Sequence, residues 1–425
     1  MTAPDPPARA GGRLRTGLAA VSASRLRALR ASGVERRLVL IEFIDSVGSG
    51  LYLGGSAIFF TRAVGLSSGQ IGFGVALGAT LGLCTLFPVG LLADRVGPRR
   101  VFVGLCAWRA AGFAAYAVVR DFPSFLAVVC FLGLTDKAMG PIVQALVGAT
   151  VGPAGRVQTM AYLRVVRNVG FTLSGVLVAI PLLLDTRSAY NAIVLADALS
   201  FVLAGWLVLR MPVRDAAQAR ALRREPPAAA LRDRRFLALT ALNGVLMLQL
   251  TMLILAIPLW LVHETRAPKA MMGPLIALNT LLVVLFQIPL SHRAATVPAA
   301  ARQLAWSGVF FAACCLLIAA SATGAAVVLL TAAVLMLTVG ELLQAAGGWR
   351  LSFDLAPEHR RGAYLSLFGL GTSAQAIVGP PLFTLVVFRA GAAGWAGLAA
   401  LFALSGLLVP RLLRASDDGP RYSDG

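Results

Sequence analysis

Long apolar blocks separated by short polar segments dominate this chain. Each block is about 20 residues long, the length that a helix needs to cross the ~30 Å hydrocarbon core of a bilayer. Backbone polar groups in lipid have to bond within their own segment, so the blocks are predicted to be helices. The pattern therefore predicts an all-α membrane protein with twelve transmembrane helices, at 38–60, 69–93, 101–119, 122–149, 166–184, 190–210, 236–262, 271–290, 304–321, 325–346, 364–388 and 392–413.

The charged residues fit a membrane protein better than a nucleic-acid-binding one. Only 13% of the 425 residues are charged, whereas a soluble protein carries about 25%. The net charge is +19, but 30 of the 38 lysines and arginines fall on the side of the predicted bundle that carries both termini, and six fall on the other side. This asymmetry is typical of cytoplasmic loops. We therefore expect a multi-pass protein of the cell membrane with both termini in the cytoplasm, in contact with lipid and not with nucleic acid.

The chain reads as two related halves of six helices. The boundaries place an Arg-rich tail at 1–37, the first half at 38–210, a linker at 211–235, the second half at 236–413 and a short tail at 414–425. The first tail is interpreted as disordered, with a helix lying on anionic lipid as the alternative. An even number of crossings makes the halves parallel repeats. Matches recur at offsets of 198 to 204 residues: 36–37 with 234–235, Asp45 with Asn243, Pro88 with Pro289, 153–156 with 357–360, and Gly175 with Gly379.

The sequence lacks the residue patterns that metal binding, disulfide frameworks and nucleotide hydrolysis require. All five cysteines lie in apolar blocks, the three histidines are far apart, and no phosphate-binding loop is present. The longest internal polar stretch is too short for a nucleotide-hydrolysing domain. We expect no metal, no cofactor and no enzymatic activity.

The loop after the second block carries a specific motif. Residues 90–100 read GLLADRVGPRR. This run resembles the motif Gly-x-Leu-Ala-Asp-Arg-x-Gly-Arg-Arg of the major facilitator superfamily, with Pro98 where the family usually has a base. The resemblance covers nearly the whole chain, since that fold also has twelve helices in two halves. It implies a switch loop that holds the two halves together in one conformation, formed here by Gly90, Asp94, Arg95, Gly97, Arg99 and Arg100.

Elementary chemistry suits such a switch. Gly90 lets two helices approach closely, and Gly97 permits a sharp turn. Asp94 is able to accept hydrogen bonds from the free amides of a helix N-terminus, where the dipole is positive.

Seven ionisable residues lie inside the predicted helices, where an unpaired charge costs roughly 2.5–3.5 kcal/mol. They are Glu42, Asp45, Arg109, Asp136, Lys137, Asp197 and Glu341. The resemblance implies that the first, fourth, seventh and tenth helices line a central cavity. Asp45 is our candidate for proton coupling, with a fixed ion pair as the alternative. Glu42 is interpreted as an acid at the helix entrance. Asn243, the repeat equivalent of Asp45, cannot ionise.

The remaining charges suggest partners. Asp136 and Lys137 are candidate cavity residues that point about 100° apart and so are not expected to pair simply. The repeat aligns Lys137 with Glu341, which raises a bridge between the halves as a hypothesis. Arg109 is expected to neutralise an acid of the first, second or fourth helix. Asp197 is expected to pack or bond within the first half.

These features predict a monomeric secondary transporter that moves a small molecule with protons as the coupling ion. Export of a drug-like compound or secondary metabolite is favoured by large apolar residues in the seventh and eighth blocks and by the resemblance to multidrug exporters. The glycine–proline signature of drug antiporters is not intact in the fifth block. Import of a small metabolite remains the alternative, and a receptor that transports nothing is less favoured.

Overall fold

The computed structural model describes residues 33–184, 186–211, 227–322 and 324–414. Regular structure within these ranges is helical, with no β-strand. Twelve long helices follow one another: α1 (Gly33–Ile58), α2 (Ser68–Val96), α3 (Pro98–Tyr116), α4 (Phe122–Thr150), α5 (Arg156–Leu177), α6 (Arg187–Leu209), α7 (Arg234–Leu246), α8 (Met272–Ser291), α9 (Val297–Ala320), α10 (Ala326–Asp354), α11 (Arg361–Pro381) and α12 (Ala392–Arg414).

Four of these helices continue in shorter segments, and three short 3₁₀ helices lie between helices. The continuations are Phe59–Ala63 after α1, Ala179–Leu184 after α5, Gln249–Thr251, Met252–Ala256 and Ile257–Glu264 after α7, and Leu382–Val387 and Phe388–Ala390 after α11. The 3₁₀ helices are Pro227–Arg232, Lys269–Met271 and Glu358–Arg360.

The twelve-helix prediction agrees with this architecture. Eleven helices in the described ranges are long and apolar enough to cross a membrane. The twelfth is α3, whose 19 residues include Arg99, Arg100 and Arg109. This helix is long enough to cross a membrane, but its three arginines make it less apolar.

Several helix ends differ from the predicted blocks. The helix α5 begins at Arg156, ten residues before the predicted start at 166, and α10 runs to Asp354, past the predicted end at 346. The block ends were set by apolarity, whereas the hydrogen bonds of a helix continue into its polar turns. The tails 1–32 and 415–425 and most of the linker (212–226) lie outside the described residues.

The same helix pairs pack together in both halves. In the first half, α1 packs on α5 and α6, α2 on α4, and α3 on α4 and α6. In the second half, α7 packs on α11 and α12, α8 on α10, and α9 on α10 and α12. Each half has a hydrophobic core made mostly of its own residues, and Phe353 and Leu365 of the second half pack into the core of the first. Arg37 donates to the carbonyl of Arg210, and Arg235 donates to that of Leu413, so equivalent arginines bond to the ends of equivalent helices.

Glycines allow α2 and α4 to touch through their backbones. A Cβ atom added at Gly82 would lie 2.6 Å from the carbonyl oxygen of Gly133, too close for any real contact. A Cβ atom at Gly72, on the same helix, would meet nothing within 4 Å. The contrast shows that only one of these two positions requires glycine for packing.

We therefore expect Gly82→Ala to lower the stability of the purified protein by about 1–3 kcal/mol, because backbone cannot yield as a side chain does. Gly72→Ala is the matched control and should leave stability unchanged or slightly higher, since alanine favours helix. Thermal unfolding in detergent measures both. Equal unfolding temperatures for the two variants would contradict the packing described for α2 and α4.

Candidate functional site: the contacts between the halves and the charges inside them

Asp94 lies against the start of α11 in the other half of the protein. Its Oδ1 accepts a hydrogen bond from the amide of Gly362 at 2.6 Å, and its Oδ2 accepts one from the amide of Ala363 at 2.7 Å. Amides of a first helical turn have no partner within their helix, and the helix dipole there is positive. A carboxylate of the first half thus caps a helix of the second half, with the kind of bonds that the sequence predicts for Asp94.

The two glycines of this contact bring α2 and α11 together. A Cβ atom at Gly90 would lie 2.7 Å from the carbonyl oxygen of Gly362, and one at Gly362 would lie 2.6 Å from that of Gly90. Gly97 has φ = +93°, a conformation that residues with side chains rarely adopt, and it separates α2 from α3. Pro98 then occupies the first position of α3, where proline is favoured, which accounts for its place in the motif.

The other bases of the motif lie on the first half. The guanidinium of Arg99 donates to the carbonyl of Leu209 at the end of α6. Arg95 and Arg100 are exposed. Among the motif's polar side chains, Asp94 is therefore the one for which the structure describes a bond to the second half.

A second group of contacts surrounds Arg361, the first residue of α11. Its Nη1 donates to the carbonyl of Gly148 in α4 at 3.2 Å, and its Nη2 lies 3.1 Å from Oε1 of Glu358. The same oxygen lies 3.6 Å from Nη2 of Arg156 in the first half. Glu358 is thus joined to bases of both halves. The internal repeat aligns the segments that carry Arg156 and Glu358, 153–156 and 357–360, but it does not predict that the two residues touch.

A third contact joins α4 to α10, where Nε2 of Gln144 donates to Oγ of Ser352 at 2.7 Å. We call the end of the bundle that holds these three contacts (Asp94–Gly362, Arg361–Gly148 and Gln144–Ser352) the latch end. At the latch end the two halves touch directly.

Arg109, Asp136 and Lys137 form a chain of charges inside the first half. Nη1 of Arg109 lies 3.1 Å from Oδ1 of Asp136, and Nζ of Lys137 lies 3.1 Å from Oδ2. The guanidinium also stacks over the ring of Phe201, 4.6 Å from its centre. The expectation that Asp136 and Lys137 would not pair is wrong, because the long lysine side chain bends back to its neighbour. Asp136 lies on α4, one of the helices expected to partner Arg109.

The ion pair between the halves has a different base from the one hypothesised. Oε1 of Glu341 is paired with Arg164 of α5, and Oε2 accepts a hydrogen bond from Asn279 of α8 at 2.8 Å. Lys137 is bound to Asp136 instead, so the hypothesis of a Lys137–Glu341 bridge is wrong in this conformation. Glu341 itself is buried, with 5% of its surface exposed.

The apolar pattern does not reveal Arg164 and Arg167 as embedded charges. It groups both with the basic residues of a loop, but α5 begins at Arg156 and carries them on its third and fourth turns. Their three-residue spacing places them on one helical face. That spacing, and the early helix start, are the signals that point to them.

Glu42 and Asp45 share a small pocket in the first half. Nε of Arg167 lies 2.5 Å from Oε1 of Glu42, so Glu42 is neutralised by an arginine. Among the described residues Asp45 has no ion pair and no hydrogen bond. Otherwise apolar side chains of α1, α3, α4 and α5 line the pocket, whose volume of about 20 Å³ has room for roughly one water molecule. Asp45 is thus the acid without a direct partner, inside a helix and beside a cavity of water size.

The last two candidates are fully buried. Asp197 lies on α6 and accepts hydrogen bonds from Ser49 and Ser200, both at 3.3 Å. Asn243 lies on α7, and its Oδ1 accepts a bond from Gln344 of α10 at 2.8 Å. Within the described ranges, no group of three or more histidine, cysteine or acidic side chains is placed to hold a metal ion.

Comparison with known proteins agrees with this architecture. The model of the Major Facilitator Superfamily matches residues 38–248. The multidrug resistance protein MdtH of Cronobacter sakazakii is 29% identical over 258 residues, 60% of this chain and 58% of that protein, and MdtH of Yersinia enterocolitica is 28% identical over the same shares. The matches thus span less than two thirds of the length of these relatives.

Solved structures share the fold at low identity. A bacterial homologue of the iron transporter ferroportin, in an outward-facing state, superposes with a TM-score of 0.71 at 16% identity, over 91% of this chain and 100% of that one. The proton:xylose symporter XylE bound to 6-bromo-6-deoxy-D-glucose superposes with a TM-score of 0.66 at 13% identity, over 89% and 95%.

A helical, multi-pass membrane protein with two six-helix halves has the architecture of a transporter. The chain carries a major facilitator superfamily region over residues 38–248 and shares that fold along most of its length, and its curated relatives include multidrug resistance proteins.

The Arg164–Glu341 pair yields a prediction about stability. Removing one member leaves a buried charge without its partner, so Arg164→Gln and Glu341→Gln should each destabilise the purified protein by about 3–5 kcal/mol at most. The double variant removes both charges and should recover much of that loss. Thermal unfolding of the four proteins in detergent gives the coupling. Losses that simply add in the double variant would contradict the pairing.

Proposed function

We propose that this protein is a proton-coupled secondary transporter that works by alternating access and exports a small drug-like or secondary-metabolite molecule. The observation that carries the proposal is the combination of a latch end held by a few polar contacts with an acid, Asp45, that has no direct partner inside the membrane. The polar contacts of the latch end allow the halves to separate reversibly, and an unpaired carboxyl group is able to bind and release a proton.

The cycle follows from the contacts between the halves. The excess of arginine on that side of the bundle supports a cytoplasmic latch end. With the halves in contact there, the conformation described corresponds to a transporter closed to the cytoplasm. To open on that side, the protein has to release Asp94 from the amides of α11, Arg361 from α4, and Glu341 from Arg164.

The coupling role of Asp45 rests on electrostatics. An ionised carboxylate in the hydrocarbon is costly unless a base or water compensates it, so its protonation state depends on the surroundings. A movement of Arg167 or Arg109 relative to α1 would change those surroundings. Each cycle would then exchange one proton for one substrate molecule.

Export is favoured over import by the relatives. MdtH is named a multidrug resistance protein, whereas XylE, a proton:xylose symporter, shares only the fold. Import of a small metabolite is therefore the second candidate function. Uptake into everted membrane vesicles across a panel of compounds, with and without an imposed pH gradient, separates the two directions and identifies a transported compound.

Asp94→Asn should reduce transport of that compound about tenfold while leaving expression normal. The amide loses the negative charge and one of the two acceptors, and a charge-assisted bond of this type contributes about 1.5–3 kcal/mol. Glu264→Gln, the same kind of change at an exposed position at the end of α7, is the control and should transport normally. Normal transport by a well-expressed Asp94→Asn protein would remove the latch role.

Asp45→Asn should abolish accumulation driven by a pH gradient and spare substrate binding, because the amide resembles the protonated acid in shape. Asp45→Glu, which keeps the carboxyl group, should retain part of the accumulation. Asp136→Asn and Glu341→Gln, run beside it in vesicles, test whether another acid carries the proton. If the Asp45→Asn protein still concentrates substrate against its gradient, Asp45 is not the coupling site.

A further inference from the structure

Asp197 has an oxygen atom that the structure leaves without a partner. The residue lies in the middle of α6 with 0% of its surface exposed. Its Oδ1 accepts bonds from the hydroxyls of Ser49 and Ser200, but its buried Oδ2 has no hydrogen-bond partner among the described residues. A buried carboxylate that is only half satisfied is costly. A positive charge at this oxygen would remove the cost.

The second acid of this region is Asp45, which faces the neighbouring helix. Ser49, which bonds to Asp197, lies one helical turn after Asp45 on the same face of α1, so both acids lie where α1 packs on α6. The charged group that faces both from α3 is Arg109, which is paired with Asp136 of α4. The two acids therefore share one environment across the α1–α6 contact.

The other titratable groups around the two acids are accounted for. Glu42 and Cys106 face Asp45 from α1 and α3, and Arg167 faces it from α5. Tyr52 of α1 faces Asp197. Of these, Glu42 and Arg167 neutralise each other. None supplies a free positive charge to the two acids.

The charges inside the first half do not balance. Among the described residues, we leave aside the groups that bond to the other half: Arg164, paired with Glu341, and Asp94 and Arg156 at the latch end. The embedded bases are then Arg109, Lys137 and Arg167, and the embedded acids are Glu42, Asp45, Asp136 and Asp197. Four carboxylates face three cations. Glu42 and Asp136 have direct partners, so the excess negative charge falls on Asp45 and Asp197.

We propose that Asp45 and Asp197 together hold one exchangeable proton, which makes Asp197 the second member of the coupling site. The inference rests on the proposed function and adds a residue to it. Asp45 faces the pocket and exchanges the proton with water, whereas Asp197 is sealed and shares it. The hydroxyl of Ser49 donates to the Asp197 carboxylate, and that of Ser200 donates to the backbone carbonyl of Asp197 at 2.8 Å and lies 3.3 Å from the carboxylate. These donors and the nearby Arg109 suit a proton better than a metal cation.

Infrared spectroscopy tests the proposal without a transported substrate, because the proton is the ligand. A protonated buried carboxyl group absorbs as a C=O stretch that an ionised one lacks. We expect the purified wild-type protein, in potassium buffer near neutral pH, to show one such band, which moves when aspartate is labelled with carbon-13. It should disappear when the pH is raised to about 9 or above.

Charge balance sets the outcome for the variants. Asp197→Asn leaves three carboxylates against three cations, so no proton is required and the neutral-pH band should be lost entirely, as it should be in Asp45→Asn. Asp121→Asn, at an exposed helix cap outside the membrane-spanning segments, is the control and should keep the band. If Asp197→Asn folds poorly, Ser200→Ala serves instead: removing a bond to Asp197 should shift the band's frequency.

Three results would overturn the proposal. The first is a wild-type protein without the band. The second is a band that is unchanged in Asp197→Asn or, where that variant does not fold, in Ser200→Ala. The third is a band that sodium chloride suppresses and choline chloride does not. The last result would mean that the pair holds sodium. The infrared experiment measures no transport. A negative infrared result therefore does not contradict the export proposal, and a failure to export in vesicles does not contradict the shared proton.

Discussion

A charge inside a bilayer needs a partner, and the interior of this protein is arranged around that requirement. Within the first half, Arg109 and Lys137 hold Asp136, and Arg167 holds Glu42. Such pairs move with their half and need not break. The pair of Arg164 and Glu341 is different, because its members belong to different halves. Any separation of α5 from α10 has to supply each of them with another partner or with water.

The latch end shows the same principle at the membrane surface. Most residues of each hydrophobic core come from one half, and only a few apolar side chains, among them Phe353 and Leu365, reach into the core of the other. The contacts described between the halves at this end also include hydrogen bonds, ion pairs and a backbone contact through Gly90 and Gly362. Water compensates polar groups that separate near the surface, so each such bond contributes only about 0.5–3 kcal/mol net. The polar bonds between the halves are thus of modest individual strength, which suits the reversible separation that the proposed function needs.

Local sequence features predicted the helical architecture and the bonds of Asp94 to helix amides, because both depend on short stretches of the chain. Apolar blocks predict helices one at a time, and the motif around Asp94 carries its turn and its acceptor together. The pairing of charges was less predictable. The offset between the halves aligned Lys137 with Glu341, but in the structure Lys137 forms an ion pair with Asp136, and Glu341 forms one with Arg164. Which base reaches an acid depends on side-chain length and on how the halves meet, and neither is a property of one segment.

The start of α5 illustrates the same limit. Hydropathy assigned the residues before 166 to a loop, which hid Arg164 from the list of embedded charges. The helix extends ten residues further because its polar turn packs against the other half, where Arg164 finds Glu341. An apolarity criterion cannot detect a helical turn that is buried by partners rather than by lipid.

The central claim is that the halves separate at the latch end in every cycle. Cysteines replacing Gln144 and Ser352, in a protein whose native cysteines are changed to serine, test it directly, since these side chains touch across the halves. The account predicts that oxidation forms a disulfide, that vesicle transport stops, and that a reductant restores it. A disulfide that forms fully while transport continues at the reduced rate would show that the halves do not separate there, and would contradict the account.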